Sequence, residues 1–370
     1  MAAPLRFDPD RAEECARLGA WLAGGGVAAL PTDTVPGLAA LAGPGGAPVA
    51  VARLAALKAA PADKPCALHL ADLQACARLA PSLPPGLPRW LRARLPGPWT
   101  VLLPARWLAL APALDWHWPL VGLRVPHSAR FSACARAAGG PLLMTSINRH
   151  GAAPLTHQAL ADWLAERRVP AAFDPAREEI GSASRVVAFD PLPRALRGEI
   201  GAANLRPGMR VLVVCSGNIC RSPLAAAILK QEIAAAWGVR ERDLPTLGWT
   251  VDSAGTFAMP GAEASEHSVA AAREIGLDLR GHRARSVTQA LAGARYDLVL
   301  GMGSNHLAAL AEHGVQAELF DLAQREVADP FGSDLAAYLQ TREHLQRTAQ
   351  ARVEAWSRWE ADAGQPAPHP

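Results

Sequence analysis

The stretch that decides the fold of the second half of this chain is VLVVCSGNICRSPL, residues 211–224. Val211–Val214 is a short apolar run rich in β-branched residues, which predicts a buried parallel strand. Gly217 and Asn218 tolerate a positive φ, so the next loop can curl until successive backbone N–H groups point at one spot. Pro223 suits the first turn of a helix. The pattern therefore predicts a strand, an anion-binding loop and a helix start.

The residue types in this loop are those that phosphate chemistry requires. N–H groups at a helix N-terminus stabilise a thiolate, so Cys215 is expected to be a nucleophile at neutral pH. Arg221, six residues later, has a planar fork that holds two phosphate oxygens at once, which lysine cannot do. A Cys and an Arg at this spacing also occur by chance, so the assignment depends on the whole loop. The other members of the predicted phosphate loop are Ser216, Gly217, Asn218, Ile219, Cys220 and Ser222, whose hydroxyl can donate to the sulfur.

This loop resembles that of the low-molecular-weight protein tyrosine phosphatase family, which reads Cys, five residues, Arg, Ser, with Gly, Asn and a second Cys inside. Further marks of that family follow in order downstream. They are Ser253-Ala254-Gly255-Thr256, GHRARSV at 281–287, YDLVLGM at 296–302 and Asp329-Pro330-Phe331. The resemblance covers roughly residues 209 to 360 and implies a flavodoxin-like, three-layer fold with a parallel sheet.

The resemblance also implies a mechanism. Cys215 attacks phosphorus and forms a phosphocysteine, while the loop amides and Arg221 hold the equatorial oxygens. Asp329 protonates the leaving group and then acts as the base when water hydrolyses the intermediate. Asn218 is expected to hold the loop in shape, and no metal or other cofactor is needed because the amides and Arg221 supply the positive field. Phe331, beside the acid, either packs against the leaving group of a phosphorylated protein substrate or anchors its own loop.

Six cysteines, at positions 15, 66, 76, 134, 215 and 220, are scattered and form no CxxC pair, which is typical of a reducing compartment. Cys220 either forms a reversible disulfide with Cys215, which would protect the thiolate from deeper oxidation, or is a small buried loop residue. Arsenate reductases on this fold pass oxidation to further cysteines downstream. The chain has none after residue 220, which argues against that activity.

The substrate of the predicted phosphatase depends on one loop position. The segments SAGTFAMPGAEAS and DPFGSDLAAYLQTREHL are similar to the bacterial protein-arginine phosphatase branch of the family. That branch tends to have a small polar residue where this chain has Ile219, whereas a branched apolar residue is the more usual choice of tyrosine phosphatases. Phosphotyrosine is therefore favoured, and phosphoarginine stays open.

Length and composition indicate how many domains the chain has and which partners it is expected to bind. The 370 residues are enough for two domains that each bury a core. The net charge is only +3, which does not indicate a nucleic-acid or membrane partner. The start has no apolar signal-peptide core, and the longest uncharged run, Thr34–Ala52, is interrupted by prolines and glycines. We expect a soluble, cytoplasmic protein.

The segment RGEIGAANLRPGMR, with three glycines and a proline, predicts a domain boundary near Gly201–Gly208. The predicted domains are residues 1–204 and 209–362, followed by a disordered tail at 363–370. Helical patterns alternate with short apolar runs in the first half, which indicates an α/β sheet domain. Helices are predicted at 9–23, 48–58, 71–80, 128–138 and 156–168, and strands at 27–30, 66–70, 100–103, 121–125, 142–145 and 185–189.

Two polar clusters in the first half follow predicted strands, which is where α/β sheets bind ligands. Residues 32–34 (TDT) follow VAALP, and Thr145, Ser146 and Asn148 follow PLLM. Polar loop caps would explain either cluster alone. The chain has 37 basic residues but only three lysines, so lysine at position 58 suggests a point-charge contact with a phosphate or a carboxylate.

These features resemble the threonylcarbamoyl-adenylate synthase family, of YrdC-type twisted-sheet α/β fold. The matching motifs, in family order, are GGGVAALPTDTVPGLAA (24–40), LKAAPADKP (57–65), LPGPWTVLLPA (95–105), VGLRVP (121–126), MTSIN (144–148), SRVV (184–187) and LRGEI (196–200). The resemblance implies an enzyme that joins threonine, bicarbonate and ATP, with Mg²⁺, into threonylcarbamoyl-AMP for tRNA modification. The nucleotide and threonine pocket it implies is lined by Thr32, Lys58, Ser146, Asn148, Ser184 and Arg197.

The chain departs from that family's pattern at four positions. Pro36 replaces an aromatic residue, Ala60 a basic one, Ile147 a small one and Arg185 a threonine. Without a guanidinium at position 60 a charge-assisted phosphate contact is lost, and such contacts are the strong ones. Two interpretations stay open. The first half is an active synthase, or it is an inactive module that binds nucleotide or RNA, including double-stranded RNA, or regulates its neighbour.

Overall fold

The computed structural model describes residues 6–42, 46–61, 66–148, 153–178 and 181–359. These residues fall into two compact units. Unit 1 contains the chain up to Ser82 together with Leu91–Leu205, and unit 2 contains Leu83–Trp90 and the chain from Arg206 onward. The tail predicted at 363–370 lies outside the described residues. None of the helices described is both long and apolar enough to cross a bilayer.

Unit 1 is built on a single mixed sheet. Its strands are β1 (Val27–Leu30), β2 (Gly37–Leu41), β3 (Ala67–His69), β4 (Trp99–Pro104), β5 (Leu120–Arg124), β6 (Leu142–Ser146), β7 (Arg185–Phe189) and β8 (Pro193–Arg197). Their order across the sheet is β1-β2-β6-β3-β5-β4-β7-β8. Because β2 pairs antiparallel with both β1 and β6, the carboxyl ends of β1 and β6 lie at the same edge.

Helices cover this sheet and bury its apolar side chains. They are α1 (Ala12–Ala23), α2 (Gly46–Lys58), α3 (Leu73–Leu79), α5 (Ala129–Ala138) and α6 (His157–Glu166). A further helix of the first half, α4 (Leu87–Arg92), lies mostly in the segment that belongs to unit 2. Leu18 of α1 and Phe131 of α5 pack with Ala39 and Leu142 from the sheet in one core. α2 packs against β2 and β6, which brings its last residue, Lys58, to the carboxyl end of β6.

The α/β class predicted for the first half is confirmed, and the predicted helices and strands overlap observed ones. Three observed elements are not predicted by the sequence pattern. β2 is alanine-rich and has no β-branched residue, and α4 is a six-residue helix that contains Pro88. β8 begins with Pro193 and is largely exposed at the sheet edge, so it shows no apolar alternation.

Unit 2 is built on a parallel sheet. Its strands are β9 (Arg210–Cys215), β10 (Thr250–Gly255), β11 (Leu298–Gly301) and β12 (Glu318–Leu319). They pair in the order β10-β9-β11-β12, with every pairing parallel. Counted within the unit this is 2-1-3-4, the flavodoxin-like order, in which ligands bind beyond the carboxyl end of the first strand. The predicted fold is confirmed, and the switch point of the sheet lies just after Cys215.

Helices cover both faces of this sheet. They are α7 (Arg221–Trp237), α8 (Glu266–Arg273), α9 (Val287–Gly293), α10 (Ser304–Glu312) and α11 (Leu335–Trp356). Leu212 and Val214 of β9 pack with Val287 of α9 and Leu310 of α10. The alternate residues of β9 point to the opposite face and are equally buried, and α7 packs against β9, β10 and α11. The result is the three-layer arrangement expected.

Unit 2 also includes one segment from the first half of the chain, Leu83–Trp90. The backbone N–H of Gly86 donates to the Trp356 carbonyl at 2.9 Å, and Trp237 Nε1 donates to the Pro85 carbonyl at 3.2 Å. Gly86 has a φ of 81°, which glycine adopts without strain. The structure thus places inside unit 2 a segment that lies, in sequence, within the predicted domain 1–204.

Candidate active site

The loop between β9 and α7 presents a cysteine at the carboxyl edge of the parallel sheet. Cys215 is the last residue of β9, and its side chain is buried. The backbone N–H of Asn218 donates to Cys215 Sγ at 3.3 Å, and Ser222 Oγ lies 3.1 Å from the same sulfur. α7 begins at Arg221, so the positive end of its dipole lies at this loop. The amide of Asn218, the hydroxyl of Ser222 and a helix N-terminus therefore meet at the sulfur, and the same hydroxyl also lies 3.2 Å from the Ala254 carbonyl.

Asn218 fixes the shape of this loop. Of the two residues expected to allow a positive φ, Asn218 adopts one, at 54°. Its Nδ2 donates to Ser222 Oγ and Ser253 Oγ, both at 2.9 Å, and its Oδ1 accepts from the Arg285 N–H at 3.0 Å. Burial lowers the pKa of His282, whose Nε2 lies 2.6 Å from the Asn218 carbonyl. The downstream motifs SAGT and GHRARSV thus serve to hold the loop.

Arg221 extends a buried guanidinium across the mouth of the loop. Its Nη1 donates to the Val327 carbonyl at 3.1 Å, and its Nη2 lies 3.4 Å from Ser216 Oγ. Nη2 is also paired with the carboxylate of Asp329, which comes from the loop after β12. The structure therefore brings Cys215, Arg221 and Asp329 together from three separate stretches of the sequence.

The remaining residues of the predicted site surround this group. Phe331 is 68% exposed, which disfavours the loop-anchor interpretation, and its N–H donates to Asp329 Oδ1 at 3.2 Å. Ile219 is half-buried and packs beside Cys220 and Tyr338. Burial raises the pKa of Cys220, whose Sγ lies 3.2 Å from Tyr338 Oη. These are the contacts of a buried loop residue, and a disulfide with Cys215 stays a prediction.

The predicted pocket residues of unit 1 form three groups. In the first, Lys58 Nζ donates to Asn148 Oδ1 at 2.7 Å, the Ser146 carbonyl at 2.8 Å and Thr145 Oγ1 at 3.0 Å. Ser146 Oγ also donates to Asn148 Oδ1 at 2.9 Å. The lysine that the sequence analysis singled out is thus held by oxygens at the carboxyl end of β6. The second half of the motif LKAAPADKP, residues 62–65, lies outside the described residues.

The second group joins Arg197 to Ser184, and the third is the turn around Thr32. Arg197 Nε donates to the Ser184 carbonyl and its Nη2 to Ser184 Oγ, both at 2.8 Å. Thr100 Oγ1 lies 2.9 Å from the same serine oxygen. Thr32 Oγ1 donates to the Val35 carbonyl at 2.9 Å and so closes its own loop.

Sequence reasoning missed a buried ion pair in unit 1. Arg124 Nη2 lies 2.6 Å from Asp33 Oδ1 and donates to Thr34 Oγ1 at 2.5 Å. Burial lowers the pKa of Arg124, although the charge of Asp33 opposes this. Asp33 Oδ2 and Arg124 Nε are buried and have no hydrogen-bond partner among the residues described. Such atoms need explanation, and a polar ligand would satisfy them. Asp33 lies in the motif GGGVAALPTDTVPGLAA and Arg124 in the motif VGLRVP, so each residue was marked by the sequence, although their contact was not.

Comparisons with known proteins agree with this geometry. The model of the family described as low molecular weight phosphotyrosine protein phosphatase matches residues 210–358. The protein-arginine-phosphatase of Geobacillus stearothermophilus is 34% identical over 145 residues, which cover 37% of this chain and 88% of that protein. The low-molecular-weight protein-tyrosine-phosphatase Wzb of Salmonella typhi is 33% identical over 163 residues, which cover 42% of this chain and 98% of Wzb.

The chain belongs to the low-molecular-weight phosphotyrosine protein phosphatase family. Its first half carries a second domain, since the Sua5/YciO/YrdC family model, described as telomere recombination, matches residues 20–198. Both resemblances stated from the motifs are confirmed.

Sequence reasoning also missed one aromatic residue beside the phosphatase loop. The N–H of Phe257 donates to the Ser216 carbonyl at 2.9 Å, which ties the residue after the SAGT motif to the phosphate loop. The Phe257 side chain is 83% exposed, and that of Met259, two residues on, is 77% exposed. Exposed apolar side chains of this size are unusual away from binding surfaces. Both residues lie in the segment SAGTFAMPGAEAS, just after the SAGT motif, and this position is the sequence feature that could have indicated them.

Proposed function

We propose that unit 2 hydrolyses phosphotyrosine in proteins through a phosphocysteine formed on Cys215. The observation that carries this proposal is the convergence of a cysteine, contacted by an amide N–H and a serine hydroxyl, with an arginine fork and a carboxylic acid at one loop mouth. This set supplies the nucleophile, the oxygen-binding groups and the proton donor that phosphoryl transfer requires.

The reaction has two steps. In the first, Cys215 Sγ forms a bond to phosphorus while the bond to the tyrosine oxygen breaks, and Asp329 gives its proton to that oxygen. Arg221 and the loop amides hold the non-bridging oxygens as charge develops. In the second step Asp329 takes a proton from water, whose oxygen bonds to phosphorus as the S–P bond breaks. Inorganic phosphate and the free thiolate result, and no redox change occurs.

Substrate choice turns on Ile219 and on the aromatic residues around the mouth. Phe257 and Phe331 are exposed, and rings of this kind suit a flat aryl leaving group. A branched apolar residue at 219 offers no hydrogen bond to a guanidinium, which favours phosphotyrosine. Phosphoarginine is the second candidate, because relatives named for arginine and for tyrosine dephosphorylation match this chain at nearly equal identity.

The deciding experiment compares kcat/KM of the full chain on phosphotyrosine and phosphoarginine peptides of the same sequence. A preference for phosphotyrosine supports the proposal, and a preference for phosphoarginine transfers it to the second candidate. Cys215→Ser serves as the blank, and hydrolysis that survives this substitution would rule out the cysteine mechanism.

We also propose that unit 1 is an ATP-dependent threonylcarbamoyl-adenylate synthase acting in tRNA modification. Supporting this are the lysine at the carboxyl end of β6 and the unsatisfied polar atoms of Asp33 and Arg124. The three N–H donors of Lys58 all have protein acceptors, so it would act on an anion through its charge. The described residues include no group of three His, Cys, Asp or Glu side chains fit to hold a metal ion. Mg²⁺ would accompany the ATP in this reaction.

The alternative is an inactive module that binds nucleotide or RNA. It is favoured by Pro36, Ala60 and Ile147 and by Arg185, whose guanidinium lies over the Trp99 ring at 5.5 Å. The test is pyrophosphate release by the full chain from ATP. Release that needs both threonine and bicarbonate supports the synthase, and no release supports the module. Binding of tRNA or other double-stranded RNA rests on the resemblance alone.

We propose residues 1–204 and 209–362 as the two functional domains, with Leu83–Trp90 contributing to the second. The proposed nucleophile, Cys215, is a free thiol. A catalytic thiol must stay reduced, which supports a cytoplasmic location.

A further inference from the structure

A buried histidine lies behind the phosphate loop and has no part in the reaction proposed above. His306 is the third residue of α10 and is 1% exposed. Its Nε2 lies 3.0 Å from Ser216 Oγ. Its Nδ1 is buried and has no hydrogen-bond partner in the described part of the chain. A buried ring with an unsatisfied nitrogen is costly, so the contact with Ser216 calls for a functional explanation.

Ser216 connects this histidine to the phosphate-binding arginine. Its Oγ lies between His306 Nε2 and Arg221 Nη2, at 3.0 and 3.4 Å. A hydroxyl has one proton and two lone pairs, and a guanidinium can only donate. The hydrogen bond from Arg221 therefore occupies one lone pair of Ser216 Oγ. The hydroxyl proton and the second lone pair of Ser216 remain for His306. The three side chains form one continuous chain of polar contacts.

Arg221 needs this support because its carboxylate partner leaves during the reaction. In the structure Nη2 is paired with Asp329, and Nη1 donates to the Val327 carbonyl. The proposed mechanism moves the Asp329 carboxyl to the leaving group. Among the residues that the structure describes, Ser216 Oγ is then the acceptor that Nη2 keeps. Nη1 keeps its contact with the Val327 carbonyl, but Nη2 is well oriented by a single hydroxyl only if that hydroxyl is itself fixed.

We propose that His306 is a positioning residue of the phosphatase, which acts through Ser216 to keep Nη2 of Arg221 facing the phosphoryl group. This inference rests on the proposed phosphocysteine function and adds to it a residue that sequence motifs did not indicate. His306 meets the reacting atoms only through Ser216.

The ring acts in its neutral form. Burial and the charge of Arg221 lower the pKa of His306, and the opposing effects of the Gly303 backbone and of the charges of Asp329 and Glu326 do not reverse that direction. Protonation would place a second positive charge beside Arg221 in a buried site, which weakens the chain of contacts. We therefore expect kcat/KM to fall as the pH drops through this lowered pKa.

The experiment measures kcat and KM of the full chain for 4-nitrophenyl phosphate in H306A, H306Q, S216A and the double variant S216A/H306A. His313→Ala is the matched control, because His313 is exposed at the end of the same helix. H306A and S216A should each lower kcat/KM about tenfold, the usual scale for losing an orienting hydrogen bond to a charged group. The double variant should fall no further, because both changes break one chain of contacts. H306Q should recover most of the loss, since its amide nitrogen can donate to Ser216.

Two further readouts separate positioning from a merely structural role. Inorganic phosphate, which binds at Arg221 without reacting, should inhibit H306A and S216A more weakly while their thermal unfolding midpoints match wild type. The inflection on the acid side of the kcat/KM profile that belongs to His306 should be missing from H306Q. If H306A does not fold, S216A and H306Q decide the question.

The outcomes distinguish this inference from the function it rests on. A wild-type chain without aryl phosphatase activity would contradict the proposed function. An active wild type in which S216A and H306A both retain wild-type kcat/KM would overturn the role of His306. If the losses of the two single variants multiply in the double variant, the role of His306 is overturned as well. Multiplied losses would mean that His306 and Ser216 act independently, and not through one chain of contacts.

Discussion

Asp329 and Arg221 form an ion pair at the mouth of the phosphate loop. The Arg221 side chain is 7% exposed and that of Asp329 is 46% exposed, so a solvent-accessible acid is paired with a buried arginine. The proposed reaction gives the same two groups separate partners, the leaving group and the phosphoryl oxygens. A bound phosphoryl group must therefore compete with Asp329 for Arg221. Substrate binding releases the acid next to the oxygen that it has to protonate.

Asp329→Asn should separate these two effects. Loss of the acid should lower kcat for phenyl phosphate by about 10²- to 10³-fold, and less for 4-nitrophenyl phosphate, whose leaving group needs little protonation. Loss of the competing carboxylate should tighten inhibition by inorganic phosphate. Steady-state kinetics on both esters check this. Asp334→Asn is the control, because Asp334 caps α11 and asparagine caps equally well. Equal losses on the two esters would contradict the assignment of Asp329 as the acid.

Cys215→Ser should abolish turnover while leaving the anion site intact. The hydroxyl is a far weaker nucleophile at neutral pH, so we expect kcat to fall by at least about 10³-fold. Arg221 and the amide of Asn218 are unchanged, so inorganic phosphate should still bind, as equilibrium dialysis can show. Cys66→Ser, in the other unit, is the matched control and should keep full activity. Loss of phosphate binding together with turnover would mean that the substitution disturbs the loop.

Ile219→Thr should move substrate preference toward phosphoarginine. A hydroxyl at this position can hydrogen-bond a guanidinium, and the change removes a branched apolar side chain from the loop. We expect the ratio of kcat/KM for phosphotyrosine over phosphoarginine peptides to fall by about tenfold. Ile219→Val, which keeps a branched apolar side chain, should leave the ratio near wild type. A ratio that does not move in the threonine variant would show that position 219 does not set specificity.

Lys58→Met should weaken any adenylation by unit 1. The substitution keeps the length of the side chain, removes its charge and strands the oxygens of Thr145, Ser146 and Asn148. We expect pyrophosphate release from ATP, in the presence of threonine and bicarbonate, to fall by at least about tenfold. Lys230→Met in α7 is the matched control. Release that is unaffected by Lys58→Met would remove Lys58 from the proposed site.

His69 should make the stability of unit 1 depend on acid pH. Burial and the charge of Arg124 lower the pKa of His69 from 6.5 to about 3. Between those values the unfolded chain binds a proton that the folded chain does not. The free energy of unfolding should therefore fall by about 1.4 kcal/mol for each pH unit below about 6.5.

The measurement is urea unfolding of wild type and His69→Asn between pH 7 and pH 4. Asparagine does not titrate and retains a donor for the Ala67 carbonyl, which His69 Nδ1 contacts at 3.1 Å. The difference between the two pH profiles isolates this one group from the carboxylates. Parallel profiles would mean that His69 is protonated in the folded chain.

The sequence was sufficient for those parts of the site that lie on one continuous motif. Cys215, Asn218 and Arg221 are joined by a single loop whose backbone conformation follows from residue type, so their meeting was predictable. Asp329 is distant in sequence and could be assigned only through the family resemblance. The parallel sheet followed from a run of β-branched residues that are buried on both faces.

The features that sequence reasoning missed depend on contacts between distant segments. The pair of Arg124 and Asp33 joins two motifs that are each recognisable, but no local pattern states that they touch. His306 reaches Ser216 across the sheet edge, and a single histidine on a helix has no periodicity to distinguish it. β8 is an exposed edge strand that is recognised by its hydrogen bonds to β7. Those hydrogen bonds are visible in the structure and leave no pattern in the sequence.

The segment Leu83–Trp90 bears on how this chain can be divided. The chain passes from unit 1 to unit 2 after Ser82, returns after Trp90 and passes again after Leu205. Two genes joined end to end would give one crossing, near the glycine-rich stretch at 201–208. With three crossings, a protease that cuts at this stretch leaves part of the phosphatase on the other fragment. The fragment that begins after this stretch then lacks Leu83–Trp90 and is an incomplete unit 2, so the phosphatase depends on a segment that only the uncut chain supplies.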